Sequence, residues 1–235
     1  MADSAAMQLP LALKLREGID FDAFVAGGNG VLVDELRKLA AGDCDSPVFL
    51  WGETGSGRTH LLEATVREAL AGGGSACLLP AAEIRGLGPE VLDGMEHFGL
   101  LAIDDLDLLA GRKGWDEALF HLYNRCRDAG GGLLFAAAAA PAALDFILPD
   151  LSSRLAAGPV FRVQPLGEEA LVELVSRRAA RRGLRISAEV AGYLVARAER
   201  RPAALMQVLE VLDHEAMVQR RRITVPFVRQ VMGWH

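Results

Sequence analysis

The chain has 235 residues, of which 51% are hydrophobic and 24% are charged, with a net charge of −6 and a pI near 5.4. These values exclude a disordered chain and argue against a protein built mainly to grip nucleic acid. The charge is uneven, because residues 166–235 hold 12 arginines and 8 acidic residues, whereas residues 1–165 hold 13 basic and 23 acidic residues. An acidic body with a basic end indicates polar assembly or a local contact with an anion.

No targeting or membrane segment is recognisable in the sequence. The start lacks a basic region followed by an apolar core, and the longest apolar run, 133–144, is shorter than the roughly 20 residues that cross a bilayer. The three cysteines show no metal-binding spacing, and Cys77 and Cys126 lie in apolar runs that predict buried, reduced thiols. We therefore predict a cytoplasmic protein.

The first 20 residues are predicted to form a tail, followed by a helix over 30–41. From Pro47 onwards, apolar strands and helices alternate. Strands are predicted at 48–51, 76–79, 100–103, 133–138 and 160–163, with helices at 58–70 and 115–128. Short apolar strands separated by helices predict an α/β fold, in which a parallel sheet carries helices on both faces.

After Pro165 the alternation ends, and four helices are predicted at 168–182, 188–200, 203–219 and 225–232. The predicted organisation is an N-terminal tail (1–20), an α/β domain (21–165) and a small all-helical C-terminal subdomain, or lid (166–235).

A glycine-rich segment, Gly52-Glu-Thr-Gly-Ser-Gly-Arg-Thr59, follows the first strand and opens a helix, which is the context of a phosphate-binding loop. Its backbone N–H groups and the helix N-terminus favour a phosphate. Arg58 replaces the usual lysine, and its planar fork differs from a compact ammonium, so we expect nucleotide binding with poor catalytic placement of a γ-phosphate. The alternative is a glycine-rich turn with no ligand. The candidate nucleotide-binding residues here are Gly52, Gly55, Ser56, Gly57, Arg58, Thr59 and His60.

The strand over 100–103 ends in Asp104 and Asp105, as a Walker B segment does. Asp104, with Thr59, would hold Mg²⁺, and Asp105 would polarise a water molecule. An isolated acidic pair after a strand is more often a solvated loop start, but the phosphate-binding loop about 50 residues upstream favours the functional interpretation.

At this point the sequence resembles the AAA+ initiator DnaA and, more closely, the family of its shorter relative, the DnaA regulatory inactivator Hda. The resemblance extends over nearly the whole chain and lies in segments 57–62, 89–97, 120–125, 148–155, 164–166 and 223–228. It implies an AAA+ protein without a DNA-reading domain that binds ADP and the DNA polymerase III sliding clamp. Such a protein stimulates ATP hydrolysis by DnaA and so negatively regulates replication initiation.

The resemblance assigns roles to two surface elements. The segment Asp150-Leu-Ser-Ser-Arg154 matches the family segment that carries an arginine finger, so Arg154 would act in trans on DnaA. The alternative is an ion pair between Arg154 and Asp150 on the chain's own surface. Phe120, Tyr123 and Asn124 are on the helix that would face the initiator, although Phe120 and Tyr123 also suit an ordinary core.

The sequence departs from the AAA+ pattern at two further positions. Ala136–Ala140 offers only methyl groups where a polar residue usually ends the fourth strand, and Ala203 stands where the lid arginine is expected, with Arg200 or Arg201 as candidate substitutes. We therefore expect weak or no ATP hydrolysis by this chain itself. The alternatives are an adaptor that recruits the initiator without stimulating it and a self-contained ATPase.

Two further features concern partners. In the tail, Gln8, Leu9, Leu11 and Leu13 resemble the clamp-binding hexapeptide of the family, and the alternative is a chance apolar stretch that packs on the body. Arginines cluster at 177, 178, 181 and 182 and again at 220–222. Solvated faces are the simpler interpretation of these clusters, and contact with DNA, without sequence specificity, is the alternative. Homo-oligomerisation is a further expectation.

Overall fold

The computed structural model describes residues 15–16, 18–44 and 46–234. At its centre are five parallel strands, namely β1 (Val48–Trp51), β2 (Ala76–Pro80), β3 (Leu100–Asp104), β4 (Gly132–Ala137) and β5 (Val160–Arg162). Their order in the sheet is β2-β3-β4-β1-β5. The predicted parallel sheet is therefore confirmed.

Helices α1 (Gly30–Ala41), α2 (Arg58–Ala71), α3 (Ala81–Ile84), α4 (Trp115–Asp128) and α5 (Pro149–Leu155) accompany the sheet. After β5 come only helices, α6 (Glu168–Arg181), α7 (Ala188–Arg197), α8 (Pro202–Gln219) and α9 (Val225–Met232). Short 3₁₀ turns join several of these elements. Helix α1 ends at Ala41 and is followed by Gly42, whose φ of 80° is a left-handed conformation that glycine adopts without steric cost.

Both faces of the sheet are buried along β1, β3 and β4, which explains why these strands are continuous apolar runs, whereas the edge strand β5 is partly exposed. Leu50 faces α1 and α2 and packs in the core that contains Leu36 and Leu61. The neighbouring Phe49 points to the opposite face and packs in the core that contains Leu122 and Leu151. Successive residues of β1 thus serve two cores, as the alternation of side chains along a strand requires.

The C-terminal helices form a third core of their own, with Leu194, Leu209 and Phe227 fully buried in it. Val25, from the segment before α1, also packs in this core. Nearby, the Asn29 side chain accepts a hydrogen bond from the Gln164 backbone N–H at 2.7 Å and donates one to the Gln164 carbonyl at 3.0 Å. These contacts hold the N-terminal segment against the start of the helical lid.

Several elements differ from the sequence-based predictions, mostly by one residue at an end, and three of the differences have a visible cause. Helix α7 ends at Arg197 instead of residue 200, because Ala198 is extended and Pro202 begins α8 after an extended Arg201. Strand β4 ends at Ala137, since the Ala138 N–H donates to the Asp107 carboxylate at 2.9 Å. Helix α5 was not predicted, because seven residues show little periodicity.

Three other sequence-based expectations concern the cysteines, membrane segments and the N-terminal tail. Cys126 is buried as predicted, whereas Cys77 is only half-buried. Along the described part of the chain, no helix combines the length and apolarity that crossing a bilayer would require. The predicted clamp-binding residues Gln8, Leu9, Leu11 and Leu13 lie outside the described residues.

Candidate functional site

The predicted phosphate-binding loop leaves β1 at Gly52 and enters α2 at Arg58, so the expected strand–loop–helix context is confirmed. Gly55 and Gly57 have φ of 84° and 103°, a region that favours glycine. A Cβ atom on Gly57 would lie 2.9 Å from the Phe24 ring, so only glycine fits between loop and ring. The loop is therefore shaped by its glycines and pressed close to the N-terminal segment.

Thr59 and Asp104, the two candidate magnesium ligands, lie together although 45 residues separate them. The Thr59 hydroxyl donates to the Asp104 carboxylate at 2.6 Å, and the Asp105 backbone N–H donates to the same carboxylate at 3.0 Å. Asp104 is buried, with 4% of its surface exposed. Among the described residues no cluster of three or more His, Cys, Asp or Glu suits a metal, so Mg²⁺ here would need oxygens from a bound phosphate.

Arg58 contacts the second acidic residue of the pair. Its Nη2 atom lies 3.3 Å from the Asp105 carboxylate, and only 9% of the Arg58 side chain is exposed. Burial and the neighbouring Asp104 carboxylate raise the pKa of Asp105, and Arg58 opposes that shift. The residue expected to polarise a water molecule is therefore engaged by the arginine that replaces the usual lysine.

A cavity of about 410 Å³ lies over this loop and beneath the lid. One part of its lining is polar and comes from the loop and Asp105, and another is apolar and comes from Ile19, Val25, Leu166 and Leu174. Near the loop, the Ser56 Oγ and Arg58 Nη1 atoms are buried without a hydrogen-bond partner in the described structure. Buried donors of this kind are costly unless paired. The residues present thus fit a nucleotide, with orphaned polar atoms for phosphate and an apolar wall for the base.

His60 joins the cavity to the segment before α1. Its Nε2 atom lies 2.9 Å from the Asp20 carbonyl oxygen, which requires the proton on Nε2, and its ring lies 5.4 Å from that of Phe24. Burial lowers the pKa of His60. The neutral ring therefore holds the N-terminal segment over α2, and His60 contributes to one wall of the cavity.

A residue that the sequence analysis did not assign to this site, Arg178 of α6, also lines the cavity. Its Nε atom is buried with no hydrogen-bond partner in the described part of the chain, and burial lowers its pKa. Its neighbours differ: Arg177 pairs with Glu173, and Arg181 pairs with Asp20 at 3.1 Å. The spacing of the four arginines gave no sign that one of them faces the cavity.

The expected lid arginine is absent from its usual position, where Ala203 lines the cavity. The two suggested substitutes border a different and smaller cavity of about 120 Å³ beside the loop. Arg200 pairs with Glu168 at 3.2 Å and Arg201 with Glu199 at 2.6 Å. Arg178 is therefore the lid cation that the structure brings to the main cavity.

The candidate arginine finger lies elsewhere, on the exposed side of α5. The Arg154 guanidinium stands 4.6 Å from the Phe120 ring centre and 5.7 Å from that of Tyr123, both on α4. No ion pair of Arg154 occurs within the described residues, so the alternative pair with Asp150 is not formed. Tyr123 is 5% exposed and belongs to the core, whereas Phe120 and Asn124 are half-exposed. Of the three residues predicted to face the initiator, Phe120 and Asn124 therefore remain candidates, whereas Tyr123 is a core residue.

A buried carboxylate positions the segment before α5. Asp116, which is 4% exposed, accepts hydrogen bonds from the backbone N–H groups of Ile147 at 2.6 Å and Leu148 at 3.4 Å. It also accepts one from Gly111 at 3.1 Å. These bonds join the start of α4 to the residues that lead into α5, and so they set where Arg154 stands.

Comparison with known proteins finds two family models, each of which matches one part of the chain. Residues 91–162 match the model of the bacterial DnaA ATPase domain, and residues 168–232 match the model of the Hda lid domain. Domain III of the Thermotoga maritima replication initiation protein DnaA superposes with a TM-score of 0.81 at 20% identity, covering 93% of this chain and 97% of that one.

Two other solved structures are also similar. AMPPCP-bound DnaA from Aquifex aeolicus has a TM-score of 0.75 at 21% identity, covering 86% of this chain and 67% of that one. A RuvB variant from Thermotoga maritima has a TM-score of 0.74 at 18% identity, covering 93% and 72%. Such low identities show the fold, and the two matched models add detail to it: the chain is a DnaA-like AAA+ protein with an Hda-like lid.

Proposed function

We propose that this protein is a negative regulator of chromosomal replication initiation. Loaded with ADP and tethered to the sliding clamp through its N-terminal tail, it supplies Arg154 to ATP-bound DnaA and stimulates hydrolysis there. The observation that carries the proposal is the state of Arg154, which is exposed, stacked on Phe120 and has no carboxylate partner among the described residues.

The position of Arg154 suits action in trans. A guanidinium that is engaged by a carboxylate would have to break an ion pair before it could reach a phosphoryl group, whereas a stack on an aromatic face leaves its N–H donors available. In a neighbour's active site such a group offsets the charge that develops on the transferring phosphoryl oxygens. Phe120 and Asn124 beside it would contribute to the same contact with DnaA.

The chain's own cavity supports a structural role for its nucleotide. Arg58 contacts Asp105. Strand β4 ends at Ala137 and is followed by the alanines at 138–140, whose methyl groups cannot orient a water molecule. The buried Ser56 and Arg58 donors suit the phosphates of ADP, and Thr59 and Asp104 would hold Mg²⁺ together with phosphate oxygens. Ala203 of the lid has only a methyl group, and the residues just named are already assigned to the phosphates of ADP and to Mg²⁺. No contact is therefore dedicated to a γ-phosphate, and ADP is the favoured ligand.

The test is single-turnover ATP hydrolysis by DnaA on clamp-loaded DNA, with added variants of this protein. Arg154→Ala should reduce the stimulated rate by about 10³-fold or more, since fingers contribute about 10³–10⁵ in rate. Arg154→Lys should restore little, because a point charge does not reproduce the guanidinium fork. Arg127→Ala, which removes an exposed arginine at the end of α4, is the matched control and should stimulate normally.

The same assay separates the rival functions. If the protein binds DnaA and the clamp but DnaA keeps its ATP, the protein is a recruiting adaptor. If the protein consumes ATP alone and Asp105→Ala abolishes that activity, it is a self-contained ATPase. Full stimulation by Arg154→Ala would show that the finger assignment is wrong, and early melting of this variant would make Arg154 a structural residue.

A further inference from the structure

A cleft of about 500 Å³ lies on the lid, away from the nucleotide cavity. It opens between the loop that joins α6 to α7 and the loop that joins α8 to α9. Its floor is apolar and includes the buried side chains of Val190 and Ile223. Its rim carries three exposed arginines, Arg185, Arg221 and Arg222, which meet there although 36 residues separate the first two.

The three rim arginines differ in their partners from four ion-paired arginines of the lid. Among the ion pairs of the described residues, none involves Arg185, Arg221 or Arg222. By contrast, Arg177, Arg181, Arg200 and Arg201 each pair with a carboxylate. Glu189 also lines the cleft, so the three arginines and one glutamate among its described residues leave two positive charges in excess, in a protein whose net charge is −6.

Two features of the rim favour the binding of an anion. Arg221 is held in place, with Nη1 donating to the Gln230 side-chain oxygen at 2.9 Å and the guanidinium 5.1 Å from the buried Phe227 ring. Ser187 and Thr224 cap α7 and α9 by accepting hydrogen bonds from Val190 and Phe227 backbone N–H groups. Accepting in this way leaves each hydroxyl hydrogen able to donate to a ligand in the cleft.

We propose that this cleft binds the phosphodiester backbone of duplex DNA. Guanidinium forks match phosphate oxygens, and unpaired arginines gain the most from them, because binding breaks no internal ion pair. A single strand fits less well, since it is bound through stacking on aromatic side chains and none lines the cleft as the structure describes it. The contacts reach only the backbone, so no base preference is expected.

The test is fluorescence anisotropy with the full chain and a labelled DNA duplex, repeated over a range of salt concentrations without DnaA or the clamp. The variant that combines Arg185→Ala, Arg221→Ala and Arg222→Ala should bind at least tenfold more weakly. Its plot of log K against log salt should be less steep by about 2.7, from about 0.9 for each lost phosphate contact. Because Arg221 also contacts Gln230, the double variant with only Arg185→Ala and Arg222→Ala repeats the test if the triple variant fails to fold.

The matched control combines Arg177→Ala, Arg200→Ala and Arg201→Ala, which removes the same charge from ion-paired positions of the lid. It should keep most of the affinity and the slope. Equal losses in the two variants would overturn the proposal, because net charge alone would then explain binding. Tighter binding of a single strand, or of polyglutamate, at the rim arginines would also overturn it. ADP binding, measured in parallel, should not change, so this outcome is independent of the proposed regulatory function.

Discussion

At the scale of single residues, two arginines determine the character of the nucleotide cavity. Arg58 stands where a compact ammonium is usual, and its fork reaches back to Asp105 while one nitrogen stays buried and unpaired in the described structure. Arg178 approaches from the lid, and its pKa is lowered by burial and by the nearby Arg181. A third arginine of the lining, Arg16, is paired with Glu63, so Arg58 and Arg178 beside Asp105, the single lining carboxylate among the described residues, favour an anionic ligand in the cavity.

The contribution of Arg178 can be tested by calorimetry with ADP and ATP. Arg178→Ala should weaken ADP binding about tenfold or more, since a hydrogen bond to a charged group contributes about 1.5–3 kcal/mol. Arg177→Ala is the matched control, because the adjacent arginine pairs with Glu173 instead of lining the cavity. In the unaltered protein ADP should bind more tightly than ATP. Equal ADP affinities of the two variants would mean that Arg178 does not contribute to the nucleotide site.

At the scale of elements, the segment over residues 19–25 connects the sheet domain to the lid. Phe24 packs on the phosphate-binding loop at Gly57, while Val25 is buried in the lid core. The Asp20 carboxylate accepts hydrogen bonds from Arg181 of α6, and these lower the pKa of Asp20. The Asp20 backbone carbonyl accepts a hydrogen bond from His60 of α2. A short segment, in which Phe21–Ala23 form a single 3₁₀ turn, thus fixes the width of the nucleotide cavity.

This arrangement predicts a pH dependence of stability that originates at His60. Burial lowers the folded-state pKa of His60 below its ordinary value of 6.5, so the unfolded chain takes up a proton first as the pH falls. Its contribution is complete above pH 6.5 and is lost as the pH decreases towards the folded-state pKa. His60→Gln keeps an amide donor for the Asp20 carbonyl without titrating, so its free energy of unfolding should be flatter in this range.

Denaturant titrations at several pH values between about 5 and 8 measure this effect. The control is His214→Gln at an exposed histidine of α8, which should retain the full decrease in stability at low pH. If His60→Gln loses stability with falling pH as steeply as the unaltered protein, the source lies at another group.

At the scale of the whole molecule, the proposed activities occupy separate surfaces. The nucleotide cavity lies between sheet and lid, Arg154 projects from α5 beside α4, and the basic cleft lies on the lid. The acidic residues are concentrated in the sheet domain, so a negatively charged partner is directed towards the lid. Under these proposals, separate surfaces would allow DnaA and DNA to be contacted at the same time.

The proposed clamp contact through the N-terminal tail can be tested independently of these surfaces. Replacing Gln8, Leu11 and Leu13 with alanine should abolish clamp binding in a pull-down or by surface plasmon resonance. The melting temperature should hardly change, because residues near a terminus contribute little to folding. Replacing Asp3, Ser4 and Lys14 with alanine is the control within the same tail. A large loss of thermal stability in the first variant would mean that the segment packs on the body.

Features that depend on residues adjacent along the chain were determined by the sequence alone. The continuous apolar runs predicted a sheet buried on both faces, and the loop over 52–59 predicted the start of α2 at Arg58, because eight consecutive residues hold all of its geometry. Helices α1, α4 and α9 were predicted with their observed bounds, since each has a strong apolar face or a clear terminal residue.

Features that depend on which distant segments meet were decided only by the tertiary structure. The spacing of Arg177, Arg178, Arg181 and Arg182 is the same for a solvated face as for a binding one, and only the docking of α6 against residues 19–25 turns Arg178 into the cavity and Arg181 towards Asp20. Arg154 rests on Phe120 instead of pairing with Asp150 because α4 packs beside α5. Arg185 likewise meets Arg221 and Arg222 through the packing of α7, α8 and α9. Charge and periodicity are local quantities, whereas the partner of a long side chain is set by the element that packs against it.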